Sequence, residues 1–342
     1  MAEPKAQSRE PDSSNRPLVG RLAPSPTGAQ HVGNARTYLI AWLSLRSRGG
    51  RVILRIEDID SPRIKPWATQ QAIDDLRWLG LDWDEGPDVG GPSSPYIQSD
   101  RVDRYGQILT QLIEGDGDKS TPISWVYPCT CTRSDIADAA SAPHQGQEGP
   151  IYPGTCAGRV PADAASLTWP YAWRFRAPDR IVAFRDRFVG EITSNPAREF
   201  GDFVIGKKDG TPAYQLAVVV DDHEMGVTEV CRGDDLLPSA IRQITLYDAL
   251  GWEPPGFVHL PLVIGSDGRR LAKRHGDTRI SVLRDQGVPP ERLLGLLAWS
   301  CGWQEDRRPV TIADLLPRFD LSSIPREPFV MTPELWQEML AR

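Results

Sequence analysis

The apolar and polar positions at the start of the chain set out a strand, a loop, a helix and a second strand. Leu18–Leu22 is a short apolar run that fits a strand. It ends in Ala23-Pro24-Ser25-Pro26-Thr27-Gly28, where two prolines and a glycine force a loop. From Val32 to Arg46 the spacing turns helical, with Leu39, Leu43 and Arg46 four and three apart. Gly49-Gly50 stops the helix, and Val52–Glu57 reads as a second strand. This is a βαβ unit, the opening of a parallel sheet. A further helix is predicted from Trp67 to Leu79, with Ile73, Leu76 and Leu79 on one face.

Residues 115–170 change character. They are rich in Gly, Pro, Ser and Ala, hold three cysteines, and read as an insertion. The α/β pattern resumes at Trp173–Arg176 and Gln215–Val220, and Val258–Ile264 reads as one more strand. After Gly276 the pattern is helical, at Pro290–Ala298, Ile312–Leu316 and Pro333–Leu340. The expected fold class is therefore α/β. Its catalytic domain lies in two halves (17–114 and 171–255), separated by the insert (115–170). A mainly helical region follows (256–342), and a polar tail precedes (1–16).

A chain of 342 residues with 40% hydrophobic content can bury a sizeable core. No apolar run approaches the roughly 20 residues that span a bilayer. The first 16 residues lack the apolar stretch of a secretion signal, so a cytoplasmic protein with no membrane partner is expected. Net charge is -7, and residues 261–342 hold 12 Lys/Arg against 11 Asp/Glu, so composition points to no basic tail for nucleic acid. Charge distribution is a separate matter, and a local basic patch remains open. Cys129, Cys131 and Cys156 fall within 28 residues, and clustered thiols in a chain of this kind suggest a metal before a disulfide.

Three motifs carry chemistry. His31-Val32-Gly33-Asn34 lies at a helix start, where unpaired backbone N–H groups suit phosphate. A histidine there can donate to a phosphate oxygen as charge develops. Gly265-Ser266-Asp267-Gly268 precedes Arg269, Arg270, Lys273 and Arg274, a glycine-bearing turn with four cations that can close over a polyphosphate. Cys129-Thr130-Cys131 with Tyr152-Pro153-Gly154-Thr155-Cys156 offers three thiolates to one tetrahedral ion. On chemistry alone His144 is the candidate fourth ligand.

Together these segments resemble the paired nucleotide-binding motifs of class I aminoacyl-tRNA synthetases, whose catalytic domain is a Rossmann-like parallel sheet. The first motif is similar to their HIGH segment and Arg270-Leu271-Ala272-Lys273-Arg274 to their KMSKS loop. Resemblance to the glutamyl-type members extends through Arg21–Gly28, Arg55–Asp60, Gly201–Val204, Tyr214–His223 and Val230–Leu236. It covers roughly Pro17 to Arg279. It implies that Arg21 and Arg232 bind a glutamate carboxylate and Glu57 its ammonium, with Ala23, Ser25 and Tyr214 completing the amino-acid site. It implies ATP contacts from His31, Gly33, Asn34, Arg270 and Lys273, with Mg²⁺ accompanying ATP.

The Cys-x-Cys and Tyr-x-x-x-Cys halves resemble the zinc site of glutamyl-queuosine tRNA(Asp) synthetases. In those enzymes a tyrosine is a ligand, so the resemblance implies Cys129, Cys131, Tyr152 and Cys156 around one structural Zn²⁺, with His144 as the other possibility. Only 68 residues follow Arg274, fewer than a helical anticodon-binding region needs, which also fits those shorter paralogues. The resemblance implies tRNA-independent activation of glutamate and transfer to queuosine in the anticodon loop of tRNA(Asp), by a monomer. A compact glutamyl-tRNA synthetase and an inactive amino-acid- or RNA-binding paralogue are the alternatives. Three features depart from the family pattern. Ala272 replaces the usual loop serine, Arg270 replaces a lysine, and His144–Gly149 is additional. Cys231 and Cys301 read as packing residues, His223 as a structural hydrogen-bonding group, and His259 as structural.

Overall fold

The computed structural model describes residues 16–26, 28–59, 65–115, 124–139, 151–168, 170–271 and 278–341. In chain order its strands are β1 (Val19–Leu22), β2 (Arg51–Leu54), β3 (Val126–Cys129), β4 (Ala172–Phe175), β5 (Val182–Asp186), β6 (Gly190–Ser194), β7 (Phe203–Gly206), β8 (Glu229–Gly233), β9 (Gly256–Leu260), β10 (Val263–Ile264) and β11 (Phe329–Val330). The main sheet is parallel throughout, in the order β2-β1-β8-β9. The chain leaves β1 for β2 on one side and returns to β8 on the other. Ligands of open parallel sheets bind beyond the strand C-termini at such a reversal. The pairing is thin there: β1 and β8 share one registered pair, Gly20↔Glu229, whereas β8 and β9 share five.

The first helix spans Val32–Arg46, as its spacing predicts. Val32, Ala35, Leu39 and Leu43 are fully buried. So is Arg36, whose Nη1 donates to Pro261 O at 2.9 Å and whose Nε donates to Ser300 Oγ at 3.1 Å. The buried guanidinium thus ties the first helix to the helix Pro290–Ser300. The expected single strand over Val258–Ile264 is in fact two. β9 stops before Pro261, which has no N–H for a ladder, and β10 pairs with β11 in a separate two-stranded sheet. Tyr214–Glu224, where the α/β pattern resumes, is a helix.

β3, β4 and β7 form an antiparallel sheet that joins residues on both sides of position 170, and β5 with β6 forms a hairpin. The C-terminal helices bury Leu293, Leu297, Trp336 and Met339 in the same apolar cluster that holds Leu22, Leu39 and Leu54. No helix among the described residues is long and apolar enough to cross a membrane.

Candidate active site and metal centre

The reversal between β1 and β8 places Arg21 and Arg232 near the C-terminal ends of adjacent strands. Both are buried, at 5% and 4% exposure. Arg21 Nη1 donates to Cys231 O at 3.4 Å, and its Nε lies 3.5 Å from Asp222 Oδ1 but makes no hydrogen bond. Arg232 donates through Nε to His259 Nε2 at 3.1 Å and through Nη2 to Leu236 O at 3.3 Å. Its Nη1 is buried with no partner. Among the described residues no carboxylate lies within ion-pair distance of Arg232. Burial pushes its pKa down, and the neighbouring charge of Arg21 adds to the effect. A buried guanidinium without an anion is costly, and a bound carboxylate relieves that cost.

The chain after β2 supplies the opposite charge. Arg55 N–H donates to Leu22 O at 2.9 Å and Glu57 N–H to Pro24 O at 3.0 Å, so the Ala23–Pro26 loop is strapped beside Glu57. Glu57 Oε1 accepts from Arg55 Nη2 at 2.8 Å, and Arg55 Nη1 donates to Asp222 at 2.7 Å. Arg55 is fully buried, so the carboxylates of Glu57, Asp222 and, at 3.7 Å, Asp221 are what make its charge tolerable there. Tyr214 opens the helix after β7 and is half-buried; burial first, then the charge of Glu57, pushes its hydroxyl up to about 12. Ala23 is half-buried and Ser25 exposed in the loop.

His31 is the N-cap of the first helix. Its Nδ1 accepts from Gly33 N–H at 3.1 Å, and its own N–H donates to Asn34 Oδ1 at 3.2 Å. This reciprocal pair satisfies two of the helix's orphan donors. A Cβ on Gly33 would lie 3.0 Å from His31 Cε1 and 3.3 Å from Val263 Cβ, so glycine lets the imidazole fold back without displacing its neighbours. With Nδ1 accepting, the ring proton sits on Nε2. Burial, reinforced by Arg270, lowers the His31 pKa to about 4. The ring is therefore a neutral donor at physiological pH.

The segment that follows residues 272–277 is fixed at the start of this helix. Val32 N–H donates to Thr278 O at 3.2 Å, and Ile280 N–H donates to Gln30 O at 2.9 Å. Leu271 is buried, and Arg270 pairs with Asp235. The two motifs met far apart in sequence thus meet in space. Lys273, and with it Ala272, Arg274 and His275, lies outside the described residues.

The cysteine cluster sits at the end of β3. The sulfurs of Cys129, Cys131 and Cys156 lie within 4.8 Å of one another, with Cys131 and Cys156 at 3.7 Å. Tyr152 OH lies 3.4 Å from Cys129 Sγ and 3.7 Å from Cys131 Sγ. Zn–S bonds of about 2.3 Å in a tetrahedron separate sulfurs by about 3.8 Å, so the donor set fits such an ion. All three thiols are free of disulfides. Arg174, on β4, donates to Cys129 Sγ at 3.3 Å and lies 3.8 Å over the Tyr152 ring, and so braces the cluster from the sheet. His144 lies outside the described residues.

Sequence reasoning placed no weight on Arg36, Arg55, Arg174 or Asp186. Arg55 lies inside a matched segment and bonds Glu57 two positions on, but its bond to Asp222, and those of Arg36 to Ser300, Arg174 to Cys129 and Asp186 to His259, span dozens to hundreds of positions that no local pattern marks. His223 differs from expectation: its ring stacks on Trp252 at 3.8 Å instead of hydrogen-bonding. Cys231 and Cys301 are buried packing residues as expected.

A split parallel sheet, a capped helix start beside the second motif and a cationic pocket at the reversal define a class I aminoacyl-tRNA synthetase core, an enzyme of the ligase type. The chain belongs to the family of tRNA synthetases class I (E and Q), catalytic domain, which matches residues 17–322. It is 50% identical to a Glutamyl-Q tRNA(Asp) synthetase of Rhodopirellula baltica over 92% of this chain and 96% of that one. It is 52% identical to one of Symbiobacterium thermophilum, over 91% and 95%. It is also 38% identical to a glutamate–tRNA ligase of Desulforamulus reducens, of which it spans 64%. Among solved structures, glutamate-tRNA synthetase from Elizabethkingia anophelis superposes with a TM-score of 0.78 at 30% identity, covering 95% of this chain and 70% of that one.

Proposed function

We propose that the protein activates L-glutamate with ATP, without tRNA, and transfers the glutamyl group to queuosine at the wobble position of tRNA(Asp). The observation that carries the amino-acid assignment is the buried Arg232 with its unpaired Nη1, near Arg21 and, among the described residues, without a carboxylate at ion-pair distance. A side-chain carboxylate is the complement of that pair. Glu57, with Oε1 engaged by Arg55, has its second oxygen available for the ammonium. Ser25 and Tyr214 add hydrogen bonds, and Ala23 borders the substrate. The names of the two half-identical relatives support the acceptor.

In the first step the glutamate α-carboxylate attacks the α-phosphorus of ATP, the bond to the bridging oxygen breaks, and pyrophosphate leaves. His31 donates from Nε2 to the developing phosphate charge, Gly33 and Asn34 shape the helix start, and Arg270 and Lys273 hold the leaving group. Mg²⁺ bound with ATP would neutralise phosphate charge. In the second step a queuosine hydroxyl attacks the mixed anhydride, forming an ester and releasing AMP and a proton. We assign Cys129, Cys131, Cys156 and Tyr152 to one structural Zn²⁺.

The test is glutamate-dependent ATP–pyrophosphate exchange without tRNA, then transfer of labelled glutamate to tRNA. Exchange with label only on queuosine-containing tRNA(Asp) is expected. Label on the 3′ end of tRNA(Glu) would instead assign a compact glutamyl-tRNA synthetase. Loss of exchange altogether would leave an amino-acid- or RNA-binding paralogue.

A further inference from the structure

Arg232 does not stand alone at the reversal. In the β8–β9 register its direct neighbour is His259, and Phe257 lies two residues earlier on the same face of β9. The guanidinium sits 5.4 Å from the Phe257 ring, which in turn stacks on His259. Arg232 Nε–H donates to His259 Nε2 at 3.1 Å. Arginine has no acceptor atom and stays charged, so His259 Nε2 must be the acceptor. The ring proton is then on Nδ1, which faces Asp186 Oδ2 at 2.7 Å. His259 is fully buried, as is nearly all of Asp186.

Asp186 divides its oxygens between two tasks. Oδ1 accepts the N–H groups of Phe188 and Val189, both at 2.8 Å, and so holds the turn between β5 and β6. Oδ2 takes the imidazole N–H and, at 3.1 Å, the backbone N–H of His259. Burial raises the carboxyl's pKa, but the bonds from His259, Val189 and Phe188 outweigh burial and keep it below the usual carboxylate range. A charged Asp186 fixes the Nδ1–H tautomer, that tautomer presents a lone pair to Arg232, and the third anchor, Leu236 O, takes Nη2. Two of the guanidinium's three nitrogens are thereby settled, and Nη1 is the one left over.

We propose that Asp186 and His259 are positioning residues for amino-acid recognition: they orient Arg232 so that its unpaired Nη1 meets the substrate's side-chain carboxylate. The relay rests on the reading of Arg232 as a glutamate-binding residue. It also answers a physical need. A long, buried, unpaired cation would otherwise swing toward Asp222 or Glu57, the carboxylates that Arg55 already engages. Fixing one tautomer two bonds away keeps the cation free for substrate without adding a second anion to a pocket that must bind one. An Asp–His pair here serves orientation, since neither residue faces a reacting atom.

Asp186→Asn is the informative variant. It can keep an oxygen for the Phe188 and Val189 N–H groups, while its amide N–H then faces both His259 Nδ1 and the His259 backbone N–H that Oδ2 accepted. The imidazole then switches to Nε2–H, and two donors confront each other at Arg232. Glutamate-dependent ATP–pyrophosphate exchange should show KM for glutamate raised about tenfold or more, with KM for ATP near wild type. The preference for glutamate over glutamine should fall in parallel. His259→Leu should act alike and serves if Asp186→Asn does not fold. His259→Gln, which retains an acceptor for Nε–H, should recover most of the loss. Arg232→Ala, run beside them, separates two failures. If it leaves KM for glutamate unchanged, the assignment of Arg232 itself falls. If it raises KM while Asp186→Asn and His259→Leu do not, the relay alone is overturned.

Discussion

At the scale of single residues, this site depends on charges whose partners are incomplete. Arg55 is surrounded by the carboxylates of Glu57, Asp222 and, at 3.7 Å, Asp221, and Arg101 pairs with Asp221 and Glu224, so the charge of each is matched by protein anions. Arg232 is built differently, with neutral acceptors on two nitrogens and none on the third. His31 follows the same plan. One nitrogen serves as a helix cap and the other carries the proton outward. Its pKa near 4 sets the sign of a pH test. A depressed imidazole pKa keeps the ring neutral until the pH falls well below 6.5, so His31 should contribute no acid limb near that value to the exchange reaction. His31→Asn retains a good N-cap and deletes the outward N–H. It should lower kcat by roughly 10²-fold or more, with the melting temperature little changed. A wild-type acid limb near pH 6.5 that vanishes in His31→Asn would show that the ring works as a cation instead.

At the scale of elements, what could be read from sequence was what is local. The first helix is buried nearly all round, with every residue from Leu39 to Leu45 inside, and its run of apolar residues between a loop and Gly49-Gly50 is visible in the letters. The helix Pro290–Ser300 is legible for the same reason, with proline at its first turn. The site residues stood out because they cluster at strand ends and in short motifs. Not every four-residue strand was legible. β3 contains Pro128, and its partner β4 lies more than forty positions on, so no periodicity marks it. The relay from Asp186 to Arg232 was opaque too, because it crosses from a hairpin to the main sheet. The same limit applied to the metal centre, where spacing alone left Tyr152 and His144 both open. The Tyr152 hydroxyl lies at ligand-like distance from two sulfurs, which favours it. The purified protein should bind one zinc per chain. In a competitive chelator titration Cys131→Ser should abolish tight binding, Tyr152→Phe should weaken it, and His144→Ala should leave it unchanged. Zinc lost in His144→Ala but retained in Tyr152→Phe would reverse the assignment.

At the scale of the whole molecule, the two ends of the described chain share one apolar cluster, and polar pins cross it. Arg36 is one. Asp75 is another: on the helix Pro66–Trp78, fully buried, it accepts from Arg284 Nη1 at 2.8 Å on the helix Ile280–Asp285, just beyond residues 272–277. Its second oxygen, Oδ2, has no partner. Burial therefore outweighs Arg284, and the carboxyl is pushed up to about 7 from an ordinary value near 3.8. The folded state thus holds the proton more tightly than the unfolded chain does. The stabilisation this brings is fully present below the unfolded carboxylate pKa and is lost as pH rises toward and through 7. Asp75→Asn keeps the shape and cannot ionise. Its melting temperature relative to wild type should therefore rise between pH 5 and pH 8, by roughly a few degrees. Should the difference move the other way, with Asp75→Asn losing ground as pH rises, attraction to Arg284 would outweigh the cost of burying the charge. Asp75 would then clamp the two helices as a carboxylate and not as a buried acid.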